Sequence, residues 1–186
     1  GSEMVIRDRW LRASRPEVRI IGVEPAGAAS MHAALEAGQP ISLAKVDPFV
    51  DGTAVGRAGA LPFHIASQFV DCVLVVPEGA VCTEMLELYQ SDGVIAEPAG
   101  ALASTAAHVY LTDPADRKAL LGRSDGAIVC VVSGGNNDLT RYAEVMERSL
   151  RHEGLRHYFL VTFSQRPGQV GLFPDLMHIS EPTRHA

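Results

Sequence analysis

Apolar residues fall into short blocks along the chain, separated by glycine, proline and charged positions. The clearest block is residues 127–132, AIVCVV, whose mostly β-branched, uninterrupted apolar character predicts a strand buried on both faces. Ser133-Gly134-Gly135-Asn136-Asn137 follows as a turn-prone loop. Asp138 stands where a helix N-cap is wanted, and residues 139–150 continue with helical spacing. A strand, a glycine loop and a helix start in that order hold backbone N–H groups open toward a ligand. In open α/β sheets this is the ligand-binding edge, at the carboxyl end of a strand.

The same pattern reading covers the rest. Residues 3–13 predict a helix with Val5, Ile6, Trp10 and Leu11 available to pack, ended by Arg15-Pro16. Residues 18–23 predict a strand, and 28–37 a small-residue helix stopped by Gly38. Pro40, Pro48, Gly52, Gly56 and Gly59 keep residues 39–59 mostly loop. A helix over 61–70, a strand over 72–76 and an amphipathic helix over 78–90 follow, the last with Val81, Met85, Leu88 and Tyr89 near one face. Residues 94–96 predict a short strand, an alanine-rich helix runs to about Val109, and 113–124 form a polar, partly helical connection. This alternation predicts an α/β fold of three layers, a mostly parallel sheet with helices on both faces. The character changes after His152. LRHYFLVTF (155–163) reads as a strand of a separate unit, 164–168 as a turn and 180–186 as a loose tail. The expected division is residues 1–152 and residues 153–186, the second too small to bury a core alone.

With 186 residues, 47% hydrophobic and 20% charged, the chain can build a packed core. A net charge of −6 without any basic run excludes a nucleic-acid footprint. No apolar stretch approaches the roughly 18 residues that span a membrane. Cys72, Cys82 and Cys130 show no CxxC spacing, and the chain opens on no secretory signal, so a reduced, cytoplasmic setting is expected.

Glu-Pro-Ala-Gly-Ala occurs twice after a predicted strand, at residues 24–28 and 97–101. Proline suits a first helical position, so a repeated βα turn accounts for Pro and Gly but not for the carboxylate that precedes both. Other signals fall away. Ser133 lacks the glycine two residues earlier that a nucleophile elbow needs, Val131 standing there. The glycine loop lacks the Gly-Lys-Ser/Thr of a P-loop, and His152 and His157 are not spaced as HExxH.

GVEPAGAASMHAAL, FVDGTAVGRAG, AEPAGALA and VVSGGNNDLTRYAEVMERSL, in this order, resemble the second half of the catalytic part of biosynthetic threonine dehydratases. These are fold-type-II pyridoxal-phosphate enzymes, related to serine racemases and serine dehydratases. HYFLVTFSQRPG resembles the start of the ACT-like regulatory domain that follows. The resemblance implies deamination of L-threonine to 2-oxobutanoate and ammonia, in isoleucine biosynthesis, by a homo-oligomer with pyridoxal 5'-phosphate. By residue, it implies that the Ser133 hydroxyl hydrogen-bonds the cofactor's pyridine nitrogen, with Gly134 and Gly135 beside the ring. Glu97 lies near the ring, and the Gly52 backbone passes where a side chain would clash. A neutral hydroxyl forces no proton onto that nitrogen, which favours α-proton loss with β-elimination. Glu24 and the carbonyl of Ala28 match a cation site, divalent or monovalent, of serine racemases. Ser30 replaces the aspartate that completes it there, which weakens the site for a hard cation.

The family's Schiff-base lysine, its Asn-His substrate loop and its glycine-rich phosphate cup all precede the matched region. The only lysines here, Lys45 and Lys118, lie outside any such motif. The expected role is therefore part of an enzyme, inactive alone, whose partner is an amino-acid substrate together with the missing N-terminal half or further copies of the chain. The alternatives are a non-catalytic module that binds a branched-chain amino acid or another chain, and a serine dehydratase or racemase activity.

Overall fold

The computed structural model describes residues 2–122, 126–160 and 162. Two units are distinguished, Gly1–Arg156 and His157–Ala186.

In the first unit, β1 (Ile21–Pro25) and β2 (Cys72–Val76) pair in parallel, Ile21 opposite Cys72 and Pro25 opposite Val76. The crossover holds α2 (Ser30–Ala37), a long loop and α3 (Ala60–Phe69). β2 spans the predicted residues. β1 starts three residues later than the apolar pattern because its partner begins at Cys72, and ahead of it the Asp71 carboxylate accepts the Ile20 N–H at 2.7 Å. α4 (Glu78–Asp92), α5 (Leu102–Leu111), α6 (Pro114–Leu121) and α7 (Tyr142–His152) follow. Gly38 and Gly93 end α2 and α4 in the left-handed conformation, at φ 67° and 66°. Asp113 caps α6, its side chain accepting from the N–H groups of Ala115 and Asp116.

The core gathers Phe49, Val50, Val76, Val81, Met85, Leu102 and Val145, where α4 packs on α7 and α5 lies against the sheet. α1 (Ser2–Ser14) packs on α3, and Arg12 fastens it by donating to the Phe69 carbonyl at 2.8 Å and to Asp71 at 2.7 Å. Burial pushes the Asp71 carboxyl upward, but the Ile20 N–H and the Arg12 guanidinium outweigh it and hold the group below the usual range. Trp10, expected to pack, is 64% exposed.

The structure departs most from the sequence pattern at residues 127–132. They join no ladder among the described residues, and Val129 is 85% exposed. A strand apolar on both faces needs a neighbour and a cover on each side, and the two-stranded sheet of the described residues supplies neither. Residues 94–96 likewise form no strand. Asp138 caps as expected, accepting the Thr140 N–H at 2.9 Å, but a 3-10 turn (Leu139–Arg141) precedes α7. That hydrogen bond holds the Asp138 carboxyl below its ordinary range.

In the second unit, residues 157–160 belong to no helix or strand and are exposed. Residue 161, residues 163–168 and the tail, with most of the expected ACT-like start, lie outside the described residues. Among the described residues no helix is long and apolar enough to cross a membrane.

Candidate functional site

Three segments meet at one cavity of about 540 Å3, lined by Asp51, Gly52, Glu97, Pro98, Asn136, Asn137, Asp138 and Arg141. The second Glu-Pro-Ala-Gly-Ala and the Ser-Gly-Gly-Asn-Asn loop are joined through their backbones. The Glu97 N–H donates to the Gly134 carbonyl at 2.9 Å, and the Asn137 side-chain amide donates to the Ala96 carbonyl at 2.9 Å. Gly134 is at φ 80°, and a Cβ there would sit 2.1 Å from Glu97 Oε1. Only glycine meets both demands. A Cβ on Gly100 would fall 1.6 Å from the Ser133 carbonyl oxygen, so glycine is what lets the two segments touch.

The third segment is tied in by Arg141, on the 3-10 turn. Its guanidinium donates to the Phe49 carbonyl at 2.7 Å and lies 3.8 Å from Asp51. Gly52 thereby faces the Glu97 turn, where an added Cβ would come within 3.0 Å of the Ala99 methyl and 3.9 Å of Glu97 Oε1. Three carboxylates, Asp51, Glu97 and Asp138, line the cavity with one guanidinium. No described residue donates a hydrogen bond to the Glu97 carboxylate.

Of the residues singled out from sequence, Gly52, Glu97 and Gly134 thus converge. Ser133 adjoins them through its carbonyl on Gly100, with its side chain exposed. Gly135 lies against the Ile95 carbonyl. Asn137 and Arg141 were not anticipated. Asn137 carried a signal as the last polar residue before the cap, whereas the reach of Arg141 to Phe49 depends on tertiary structure.

Glu24 and Ala28 lie elsewhere. Both Glu24 oxygens accept backbone N–H groups, from Met31 at 2.9 Å and His32 at 2.8 Å, so this carboxylate caps α2. Burial raises its pKa, and the two N–H donors only partly offset that. Ala28 is fully buried. Lys45 lines a separate cavity beside His32 and Asp47, and neither Lys45 nor Lys118 lines the Glu97 cavity.

The model of the family described as "Pyridoxal-phosphate dependent enzyme" matches residues 9–148. The biosynthetic L-threonine dehydratase of Corynebacterium glutamicum is 53% identical over 160 residues, covering 85% of this chain and 34% of that protein. The Bacillus subtilis enzyme of the same name is 47% identical over 166 residues, covering 89% and 37%. The chain therefore spans about a third of the length of these relatives. Among solved structures, the processed form of threonine deaminase isoform 2 from Solanum lycopersicum superposes with a TM-score of 0.65 at 29% identity, over 75% of this chain and 39% of that one. Maize serine racemase gives 0.66 at 29% identity, over 78% and 44%. These neighbours share the parallel α/β core expected from the sequence, and the chain belongs to the family of pyridoxal-phosphate dependent enzymes.

Proposed function

We propose that this chain supplies one wall of the active site of a pyridoxal-phosphate lyase that converts L-threonine to 2-oxobutanoate and ammonia, in isoleucine biosynthesis. The observation that carries this reading is the meeting of Gly52 and Glu97 on one cavity, with Gly134 packed behind Glu97, within a chain 53% identical over 160 residues to an L-threonine dehydratase. The solved threonine deaminase and the solved serine racemase resemble this chain equally, at 29% identity, so the threonine reading rests on the 53% identical relative.

The residues fit the cofactor. Gly52 leaves bare backbone on the cavity wall, as a flat ring demands, and Gly134 lets the neighbouring loop close against Glu97. Ser133 would offer a neutral hydroxyl to the ring nitrogen, Gly134 and Gly135 would lie beside the ring, and Glu97 would flank it. The chemistry supplied there is electron withdrawal from the substrate's α-carbon, so that the α-proton and then the β-hydroxyl can leave. The chain's own residues hold this wall in shape. Asn137 and the Glu97 N–H fix one segment on the other, and Arg141 holds the Gly52 segment against them. A cation at Glu24 and the Ala28 carbonyl would have to share the Glu24 oxygens with two N–H donors. The amino-acid substrate and the remainder of the enzyme, or further copies of this chain, are the proposed partners. The exposed apolar residues 128–132 are the surface such a partner would cover.

With neither lysine at the cavity, the chain alone has no amine to anchor the cofactor. Purified chain incubated with pyridoxal phosphate and L-threonine is expected to form no 2-oxobutanoate above a cofactor-only blank. Mixing in the polypeptide that precedes the matched region of the Corynebacterium glutamicum enzyme is expected to restore turnover. Turnover by the chain alone, or none from the mixture, overturns the proposal.

A further inference from the structure

Away from the Glu97 cavity, α4 and α5 bring together Glu84, Glu87 and His108, the one group of three potential metal ligands found among the described residues. Glu84 and Glu87 stand three apart on α4, hence on one face, and His108 approaches from α5. One ligand atom from each lies within 4.8 Å of the others. His108 Nδ1 is 3.2 Å from Glu84 Oε2 and 3.4 Å from Glu87 Oε2.

Two features of this cluster leave a place for a cation. Glu84 is only 8% exposed, and the one ion-pair partner it finds among the described residues is His108, which is charged only when protonated. A carboxylate this buried is costly without a lasting counter-charge. In addition, Nδ1 carries at most one hydrogen, so it cannot donate fully to both carboxylates. The 3.2 Å contact to Glu84 is one ordinary hydrogen bond, which leaves the 3.4 Å contact to Glu87 without a proton of its own. Both distances also match the spacing of donors around a tetrahedral zinc ion, roughly 3.3 Å for bonds of about 2.0–2.1 Å.

We propose that Glu84, Glu87 and His108 bind one divalent transition-metal ion of the zinc type, with water completing its coordination. An imidazole with two carboxylates suits Zn2+, whereas Mg2+ and Ca2+ prefer all-oxygen sets. The side chains of Glu87 and His108 are 53% and 59% exposed, which leaves the ion a path from solvent. Bound there, the ion ties α4 to α5, the helix that follows the Glu97 turn. It stands outside the residues that line the Glu97 cavity, so its role is structural.

The test is calorimetric titration of the chelator-stripped, full 186-residue chain with ZnCl2, read beside thermal unfolding. One Zn2+ per chain is expected, with a rise in melting temperature that MgCl2 does not produce. His108→Ala and Glu87→Gln are each expected to weaken binding at least about tenfold. Glu87 is half exposed, so its variant keeps the fold if His108→Ala does not. Glu36→Gln, which alters the separate His32–Glu36 pair, should leave the affinity unchanged. No binding, equal binding of Mg2+, affinity retained in Glu87→Gln, or an equal loss in Glu36→Gln each overturns the proposal. None of these readouts depends on pyridoxal phosphate or on threonine turnover.

Discussion

The two Glu-Pro-Ala-Gly-Ala segments share five residues and diverge in what their carboxylates do. In the first, Glu24 is the next-to-last residue of β1 and turns back on its own chain to cap α2 through Met31 and His32. In the second, the Glu97 backbone makes the local turn, its carbonyl accepting from Gly100 and Ala101, and its carboxylate is left facing the cavity. The glycines do matching work in both. A Cβ on Gly27 would strike the Asp47 side chain at 2.5 Å, and one on Gly100 would strike the Ser133 carbonyl at 1.6 Å, so each seats a passing loop. What differs is that loop. The one at Asp47 is held by the Asp47 N–H donating to the Gly27 carbonyl at 2.9 Å. The one at Ser133 brings Gly134 beneath Glu97 and opens a concave surface. Local sequence therefore sets the turn, and tertiary surroundings decide whether its carboxylate is structural or free to meet a ligand.

The largest effect that would break this contrast is expected at Gly100, where an alanine Cβ would fall 1.6 Å from the Ser133 carbonyl oxygen, backbone that cannot swing aside, at a cost of about 3 kcal/mol or more. Gly134→Ala combines a strained positive φ with a clash against the movable end of the Glu97 side chain and should cost about 1–3 kcal/mol. Urea unfolding of the two variants gives the order. If Gly134→Ala unfolds at the wild-type midpoint, the close approach of Glu97 to Gly134 is wrong.

A second pair of variants sharpens the comparison. Glu24→Ala removes a cap and should cost about 1 kcal/mol, with little change in cofactor affinity. Glu97→Ala should leave the unfolding midpoint nearly unchanged and weaken pyridoxal-phosphate binding in the complemented enzyme, read by fluorescence titration. Equal stability losses in the two would dissolve the distinction.

Much of this was legible from the sequence. The two turns, the cap at Asp138 and strand β2 followed from residue types whose preferences are local. The burial of residues 127–132 did not, because an apolar run reports what it needs and not whether a neighbour is present. Glu24 was ambiguous for a related reason. A carboxylate after a strand suits a cation and a helix N-terminus equally, and the sequence does not show that the Met31 and His32 N–H groups reach it. Arg141 was invisible because its partner Phe49 lies far away in the chain.

The smallest expected effect concerns pH, and it isolates Glu24. Burial, the largest influence, raises its pKa above the ordinary 4.5 despite two N–H donors. The folded state therefore holds this proton more tightly than the unfolded chain. Its contribution to stability is fully present below pH 4.5 and is lost as pH climbs through the raised folded value. Glutamine keeps the shape and cannot ionise. The stability of the wild type relative to Glu24→Gln should thus fall between pH 4 and pH 7, measured as the difference in melting temperature at matched ionic strength. A difference that instead grew with pH would mean that the N–H donors outweigh burial. Glu24 would then be a cap held by its charge, and the contrast with Glu97 would rest on geometry alone.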